Sequence, residues 1–117
     1  KDIPPLPVLP VEDALSVSAL LALYGSANHK ILESFLEVTS RLLTELESAI
    51  STKDNLLISR TIHELKGASL QVRAKEMAKL CFDLEAASRK NDEQELVALY
   101  AALAHAFVRV KSLIVPA

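Results

Sequence analysis

Three residues near the middle of the chain combine a nucleophile, a cation and a missing side chain at helical spacing. His63, Lys66 and Gly67 are spaced i, i+3 and i+4, so on a helix they share one face. A neutral imidazole is a nucleophile near pH 7, and an ammonium one turn away can neutralise an oxyanion. Glycine costs about 1 kcal/mol relative to alanine inside a helix, which suggests that something must approach closely there.

The residues around His63 follow the pattern of an amphipathic helix. Apolar and small residues recur at i, i+4, i+7, i+11 and i+14 and mark the side opposite His63, which we expect to face the core. These residues are Ile58, Ile62, Leu65, Ser69 and Val72. A lone histidine on the wet side of a helix is usually only a polar surface residue, and that plain role is the alternative for His63.

The composition favours a single all-α domain. The chain has 117 residues, half of them hydrophobic, with 4% aromatic residues and two glycines; strands prefer β-branched and aromatic residues and need frequent turns. A net charge of −2 with scattered basic residues gives no footprint for nucleic acid. No apolar run reaches the ~18 residues of a membrane span. We therefore expect a cytoplasmic domain without direct membrane contact.

Periodicity and capping residues divide the chain into elements. Residues 1–12 hold four of the five prolines and are predicted to be a linker of polyproline type from a longer protein, or an extended arm on the bundle. A short helix is predicted over 14–24, with Gly25 as its C-terminal cap. Four longer helices should follow: one to about Ile50, one from the cap signal Ser51-Thr52-Lys53-Asp54 to about Val72, one through Met77 and Ala87, and one from the cap signal Asn91-Asp92 to near Pro116. Short connections force antiparallel neighbours, so we predict an up-down-up-down four-helix bundle with a short extra N-terminal helix.

Two segments carry a resemblance to a known family. His63-Glu64-Leu65-Lys66-Gly67-Ala68-Ser69 resembles the His-x-Leu-Lys-Gly-[Ser/Ala]-[Ser/Ala] signature of histidine-containing phosphotransfer (HPt) domains. Met77-Ala78-Lys79-Leu80-Cys81-Phe82-Asp83-Leu84-Glu85 resembles the family's Leu-x-x-Leu-Cys-x-x-Leu-Glu run, and Asp54 matches an acidic residue that often opens the motif helix. The resemblance covers about residues 18–114, so an HPt domain is predicted over 13–117.

One position departs from the family pattern. Arg73 stands where the family commonly has glycine at the break after the motif helix. A non-glycine residue in the left-handed region is uncommon, so we expect a continued or 3₁₀ turn at this corner.

The resemblance implies that His63 accepts a phosphoryl group, on Nε2, from a receiver-domain aspartate and passes it to the aspartate of another receiver. It implies that Lys66 stabilises charge on the phosphoryl oxygens and that Gly67 leaves clearance for the receiver. The domain would then be a phosphocarrier in a two-component phosphorelay, without an ATP site of its own and so not an enzyme.

The same resemblance assigns three residues to partner binding. Leu70 would supply apolar docking surface and Arg60 positive potential. Glu85, on the neighbouring helix, could orient the imidazole, or it is simply a solvated carboxylate.

The partners implied are receiver domains, in the same chain or in a response regulator. The receiver would supply Mg²⁺, so we expect no cofactor of the domain's own, and the isolated domain should be monomeric. By resemblance it would be the C-terminal module of a hybrid sensor histidine kinase, in the cytoplasmic tail of an inner-membrane sensor. A stand-alone carrier is the alternative.

Two competing functions remain open at this point. The dimerisation helices of a histidine kinase also begin His-Glu-Leu-[Arg/Lys], but they typically continue Thr-Pro where this chain has Gly67-Ala68-Ser69. A non-phosphorylated helical adaptor could bind a partner through the same face.

The remaining reactive residues are predicted to be structural. Cys81 belongs to an apolar stripe and should be a small core residue. His29 and His105 lack partners at metal-ligand spacing, so no metal site is expected. Tyr24 and Tyr100 should lie at the edge of the core.

Overall fold

The computed structural model describes the backbone of residues 11–114 and the side chains of residues 30–114. It contains four helices, α1 (Val11–Thr52), α2 (Asn55–Gln71), α3 (Lys75–Arg89) and α4 (Glu93–Ile114), and no strand within this range. Each helix packs against the next one in sequence, and α4 packs back against α1. Since α1 and α3 touch only slightly across the centre, the arrangement is a closed ring of four helices. The predicted all-α four-helix bundle is confirmed.

The N-terminal boundary differs from the prediction. A separate helix over 14–24 that ends at Gly25 is wrong, because α1 continues through Gly25 as one helix of 42 residues. A single glycine costs only about 1 kcal/mol in a helix, and Leu, Ala and Ser residues that tolerate helix surround it without proline. Most of the predicted linker (residues 1–10) and the side chains of Tyr24 and His29 lie outside the described part of the chain.

The three connections between the helices have the same construction. In each, one non-glycine residue has a positive φ (Lys53, 59°; Arg73, 63°; Asn91, 54°). The N–H of the following residue bonds a carbonyl five residues earlier, at 2.8 to 3.0 Å, which is the Schellman ending of a helix. That following residue is also the N-cap of the next helix, so the helices are joined with almost no slack.

Arg73 therefore corrects a second expectation. Its φ of 63° is left-handed, not that of a continued or 3₁₀ turn. The Arg73 N–H bonds the Leu70 carbonyl at 3.1 Å, and the Ala74 N–H bonds the Ser69 carbonyl at 2.8 Å. These two bonds satisfy carbonyls at the end of α2 and offset the cost of placing a side chain in this region.

The core contains every residue of the predicted inner face of α2. Ile58, Ile62, Leu65, Ser69 and Val72 are at most 2% exposed. They pack against buried side chains of the other helices, including Leu42 and Leu46 of α1 and Leu84 of α3. Cys81 is buried and Tyr100 is half-buried against the core, as predicted.

An ion pair fixes α3 against α4. Arg109 Nη2 donates to both carboxylate oxygens of Glu76, at 2.9 and 3.0 Å, with both side chains about three-quarters buried. Charge-assisted bonds of this kind are stronger than neutral ones. They help to hold α3, which faces the motif helix on its other side.

Helix α4 is long and apolar enough, by length and composition alone, to cross a membrane. Core helices of bundles commonly meet the same test, and α4 contributes Leu103, Ala106 and Val110 to the core. The property is therefore weak evidence for a membrane span.

Candidate functional site

Helix α2 holds His63 outward. The carboxylate of Asp54 caps the helix by accepting a hydrogen bond from the Leu57 N–H at 3.2 Å. Ile62 and Leu65, on either side of the histidine in sequence, are fully buried, so the rotation of the helix about its axis is fixed. His63 is exposed, and no hydrogen bond or ion pair joins it to the rest of the described chain. The ring nitrogens are free to react.

Lys66 is not free in the same way. Its ammonium lies 3.1 Å from Glu85 Oε1 and 4.4 Å from the centre of the Phe82 ring. Both partners belong to α3, and the side chains of Lys66 and Glu85 are only 19% and 21% exposed. An ion pair combined with a cation–π contact directs the lysine away from its own helix and towards α3.

Glu85 therefore contacts Lys66, and the described residues show no hydrogen bond between Glu85 and the imidazole. The expectation that Glu85 orients His63 rested on the resemblance alone. Sequence reasoning placed Glu85 near the histidine, but it could not choose between two neighbours one turn apart.

Phe82 is a site residue that sequence reasoning missed. It is 55% exposed although it follows the buried Cys81. The available signal was a large aromatic residue at a surface position of α3, three residues before Glu85.

Gly67 is not required by packing within the described chain. It is exposed, and a Cβ built on it would meet no atom within 4 Å. Its backbone is ordinary helix, so no special conformation calls for glycine either. Nothing among the described residues therefore requires a bare backbone at this point.

The side chains around His63 form one surface, which we call the His63 face: Arg60, His63, Lys66, Gly67 and Leu70 of α2, with Phe82 of α3. Leu70 is 54% exposed, and Arg60 is exposed without an ion pair among the described residues. The five α2 residues share one side of that helix by their spacing, and Phe82 joins them through its contact with Lys66. Large exposed apolar side chains beside a reactive group are typical of an interaction site.

A groove of about 290 Å³ runs along α2 next to the His63 face. Ile31, Phe35 and Val38 of α1 form one wall, and Ala68 and Gln71 of α2 form the other. Ala68 directly follows Gly67 in sequence, so this groove lies about 100° further around α2, on the side that faces α1.

The buried thiol of Cys81 is unreactive near neutral pH. Burial raises the pKa of Cys81 to about 12, and the negative charge of Glu85 adds to the rise, whereas a hydrogen bond with Ser69 and the Lys66 charge oppose it. The thiolate, which is the nucleophilic form, is therefore scarce near neutral pH. No cluster of three or more metal-ligating side chains occurs among the described residues.

Comparison with known proteins decides the family. The Hpt domain family model matches residues 30–112, which include the whole His63 face. This chain belongs to the Hpt domain family. The Hpt domain is a phosphorelay component of two-component signalling, a phosphocarrier and not a kinase, and it works with receiver domains and response regulators.

A solved structure supports the fold of this Hpt domain. The crystal structure of histidine-containing phosphotransfer protein B (HptB) from Pseudomonas aeruginosa PAO1 is similar to it with a TM-score of 0.77 and 24% sequence identity. The alignment covers 94% of this chain and 93% of that one. No curated protein sequence matches the chain significantly. The kinase dimerisation alternative is not supported, since a single chain supplies all four helices.

Proposed function

We propose that His63 is the phosphoacceptor, modified on Nε2. The observation that carries the proposal is the histidine's environment: an exposed imidazole that has no hydrogen-bond or ion-pair partner among the described residues, on a helix whose rotation is fixed by buried neighbours. Such a nitrogen can be approached in line without any rearrangement of the bundle, and phosphoryl transfer depends mainly on positioning and charge stabilisation.

The proposed step is balanced without added reagents. The Nε2 lone pair forms a P–N bond while the P–O bond to the receiver's aspartate breaks, and the bonding electrons leave with the aspartate carboxylate. The imidazole keeps its proton on Nδ1 and becomes cationic, so the total charge is unchanged. Transfer to the next receiver is the reverse step with a different aspartate.

The other residues of the His63 face assist in different ways. Lys66 stabilises negative charge on the phosphoryl oxygens, which is the main electrostatic need of this transition state. Gly67 leaves space for the receiver's acidic pocket. Leu70 and Phe82 supply apolar docking surface, and Arg60 contributes positive potential towards an anionic partner.

The wider setting belongs to the same proposal. The receiver supplies Mg²⁺, and the Hpt domain carries no cofactor of its own and acts as a monomer when isolated. The proline-rich residues 1–12 are typical of an interdomain linker, which favours a module that follows a receiver in a hybrid sensor histidine kinase, in its cytoplasmic tail.

The test is transfer of label from a ³²P-phosphorylated receiver in the presence of Mg²⁺. We expect the wild-type domain to gain acid-labile, base-stable label, as phosphohistidine does, and His63→Gln to gain none. His105→Gln is the matched control, because His105 is also an exposed helical histidine but lies on α4. Label retained by His63→Gln would assign the acceptor elsewhere, and unchanged signalling by that variant in cells would favour the adaptor.

A further inference from the structure

In the phosphorylated domain, the Glu85 carboxylate and the phosphoryl group on His63 compete for the Lys66 ammonium. In the unmodified domain it is held by the Glu85 carboxylate at 3.1 Å and by the Phe82 ring at 4.4 Å. A phosphoryl group on His63, one turn earlier on the same helix, carries close to two negative charges. Lys66 cannot contact both anions closely at once, because an ammonium that stays 3.1 Å from Glu85 is held on the α3 side.

Burial makes this competition effective. Lys66 and Glu85 are each about four-fifths covered, so water screens their interaction less than it screens an exposed pair. Phe82 packs on the ammonium from α3 and adds a second attraction in the same direction. Turning Lys66 towards the phosphoryl group would therefore break its contacts with Glu85 and Phe82.

We propose that Glu85 is a positioning residue that limits how strongly Lys66 stabilises phosphorylated His63. By holding the Lys66 ammonium on the α3 side, Glu85 leaves the phosphoryl group on His63 less stabilised, so that the group is passed on rather than stored. The inference rests on the proposed function of His63 and Lys66 and concerns the equilibrium of the transfer, not the identity of the acceptor.

The measurable quantity is the partition of phosphate between the Hpt domain and a receiver at equilibrium. An ammonium about 6 Å from a unit negative charge, in a medium of dielectric constant about 40, is attracted to it by about 1.4 kcal/mol, which is a factor of ten in an equilibrium constant; this is the order of the attraction to the phosphoryl group that Lys66 gains once Glu85 no longer holds it. We therefore expect Glu85→Gln, which removes the charge but keeps an oxygen acceptor for Lys66, to raise the ratio of phosphohistidine to phosphorylated receiver about tenfold.

The experiment mixes each variant with a ³²P-phosphorylated receiver and Mg²⁺ and follows both labelled species until their ratio is constant. The increase for Glu85→Gln should arise from slower return of phosphate to the receiver. Asp83→Asn is the matched control, because Asp83 is a carboxylate on the same helix that pairs with Lys79. It should leave the ratio at the wild-type value.

A Lys66→Met background tests the route of the effect. If Glu85 acts through Lys66, adding Glu85→Gln to Lys66→Met changes the ratio less than twofold. A tenfold change that persists without the lysine would overturn the proposal, since Glu85 would then repel the phosphoryl group directly.

Two other results would contradict the proposed role of Glu85. An unchanged ratio with both rates reduced would mean that Glu85 orients the imidazole, and a lower unfolding temperature with both rates reduced would mean that its role is structural. These results are distinct from a failure of the proposed function, in which the wild-type domain takes no label or His63→Gln still takes it.

Discussion

Replacing Gly67 by alanine should separate the stability of helix α2 from the reactivity of the His63 face. A Cβ at this position meets no atom within 4 Å, so the substitution introduces no clash inside the described bundle. Alanine is favoured over glycine in a helix by about 1 kcal/mol. We expect the unfolding free energy to rise by about that amount and the melting temperature to rise by about 4 °C.

Phosphotransfer should change in the opposite direction. If the receiver packs against the bare backbone at Gly67, each added carbon must be accommodated in the docked complex, and overpacking typically costs about 1 to 3 kcal/mol. This corresponds to a decrease of about 5- to 150-fold in the transfer rate at subsaturating receiver. Gly67→Ala should lie at the lower end and Gly67→Leu near the upper end.

Circular dichroism melting and the rate of label transfer at limiting receiver measure the two effects on the same samples. Ala101→Gly is the matched control, because it makes the reverse exchange at an exposed position of α4. It should lower the melting temperature and leave transfer unchanged. Variants of Gly67 that unfold more easily, or that are more stable and transfer at the wild-type rate, would refute the clearance role.

Two further predictions concern the fold. Arg73→Gly should raise the melting temperature by about 2 to 4 °C. It removes the cost of about 1 kcal/mol or more for a side chain in the left-handed region, and the greater freedom of glycine in the unfolded chain offsets part of this gain. Arg73→Val should lower the melting temperature, and a loss of stability in the glycine variant would contradict this account. Burial raises the pKa of Cys81 to about 12 from its ordinary value of 9.0, so the folded state binds this proton more tightly than the unfolded state does. The resulting stability is fully present below about pH 9 and is lost as pH rises towards 12. Urea unfolding should show a steeper loss of stability over this pH range in the wild type than in Cys81→Ala, because Tyr100, whose pKa is also raised by burial, titrates in both proteins; equal slopes would argue against a buried, protonated thiol.

The helices and their inner faces were predictable because a 3.6-residue period is a local property. Ile58, Ile62, Leu65 and Val72 needed only their spacing to be assigned to the core. The predicted helix end at Gly25 is wrong because one glycine is a weak signal, which good helix formers on both sides can override.

Two other features depend on more than local sequence. The left-handed conformation of Arg73 is stabilised by hydrogen bonds to the end of α2, which the residue type does not reveal. The pairing of Lys66 with Glu85 and Phe82 requires the rotation and separation of α2 and α3, because the residues are 16 to 19 positions apart. The sequence predicted that Glu85 lies near the motif helix, but which side chain it pairs with depends on how the two helices pack.

The solitary position of the His63 imidazole has a consequence for how a partner recognises the domain. Since no bond within the described bundle ends on this ring, adding a group to it breaks nothing in the scaffold. We expect both chemical states to share one backbone, with differences confined to side chains of the His63 face. A receiver would then distinguish the phosphorylated from the unphosphorylated domain by the charge and contacts around His63. The signal is therefore carried by the covalent bond and not by a change in the shape of the domain.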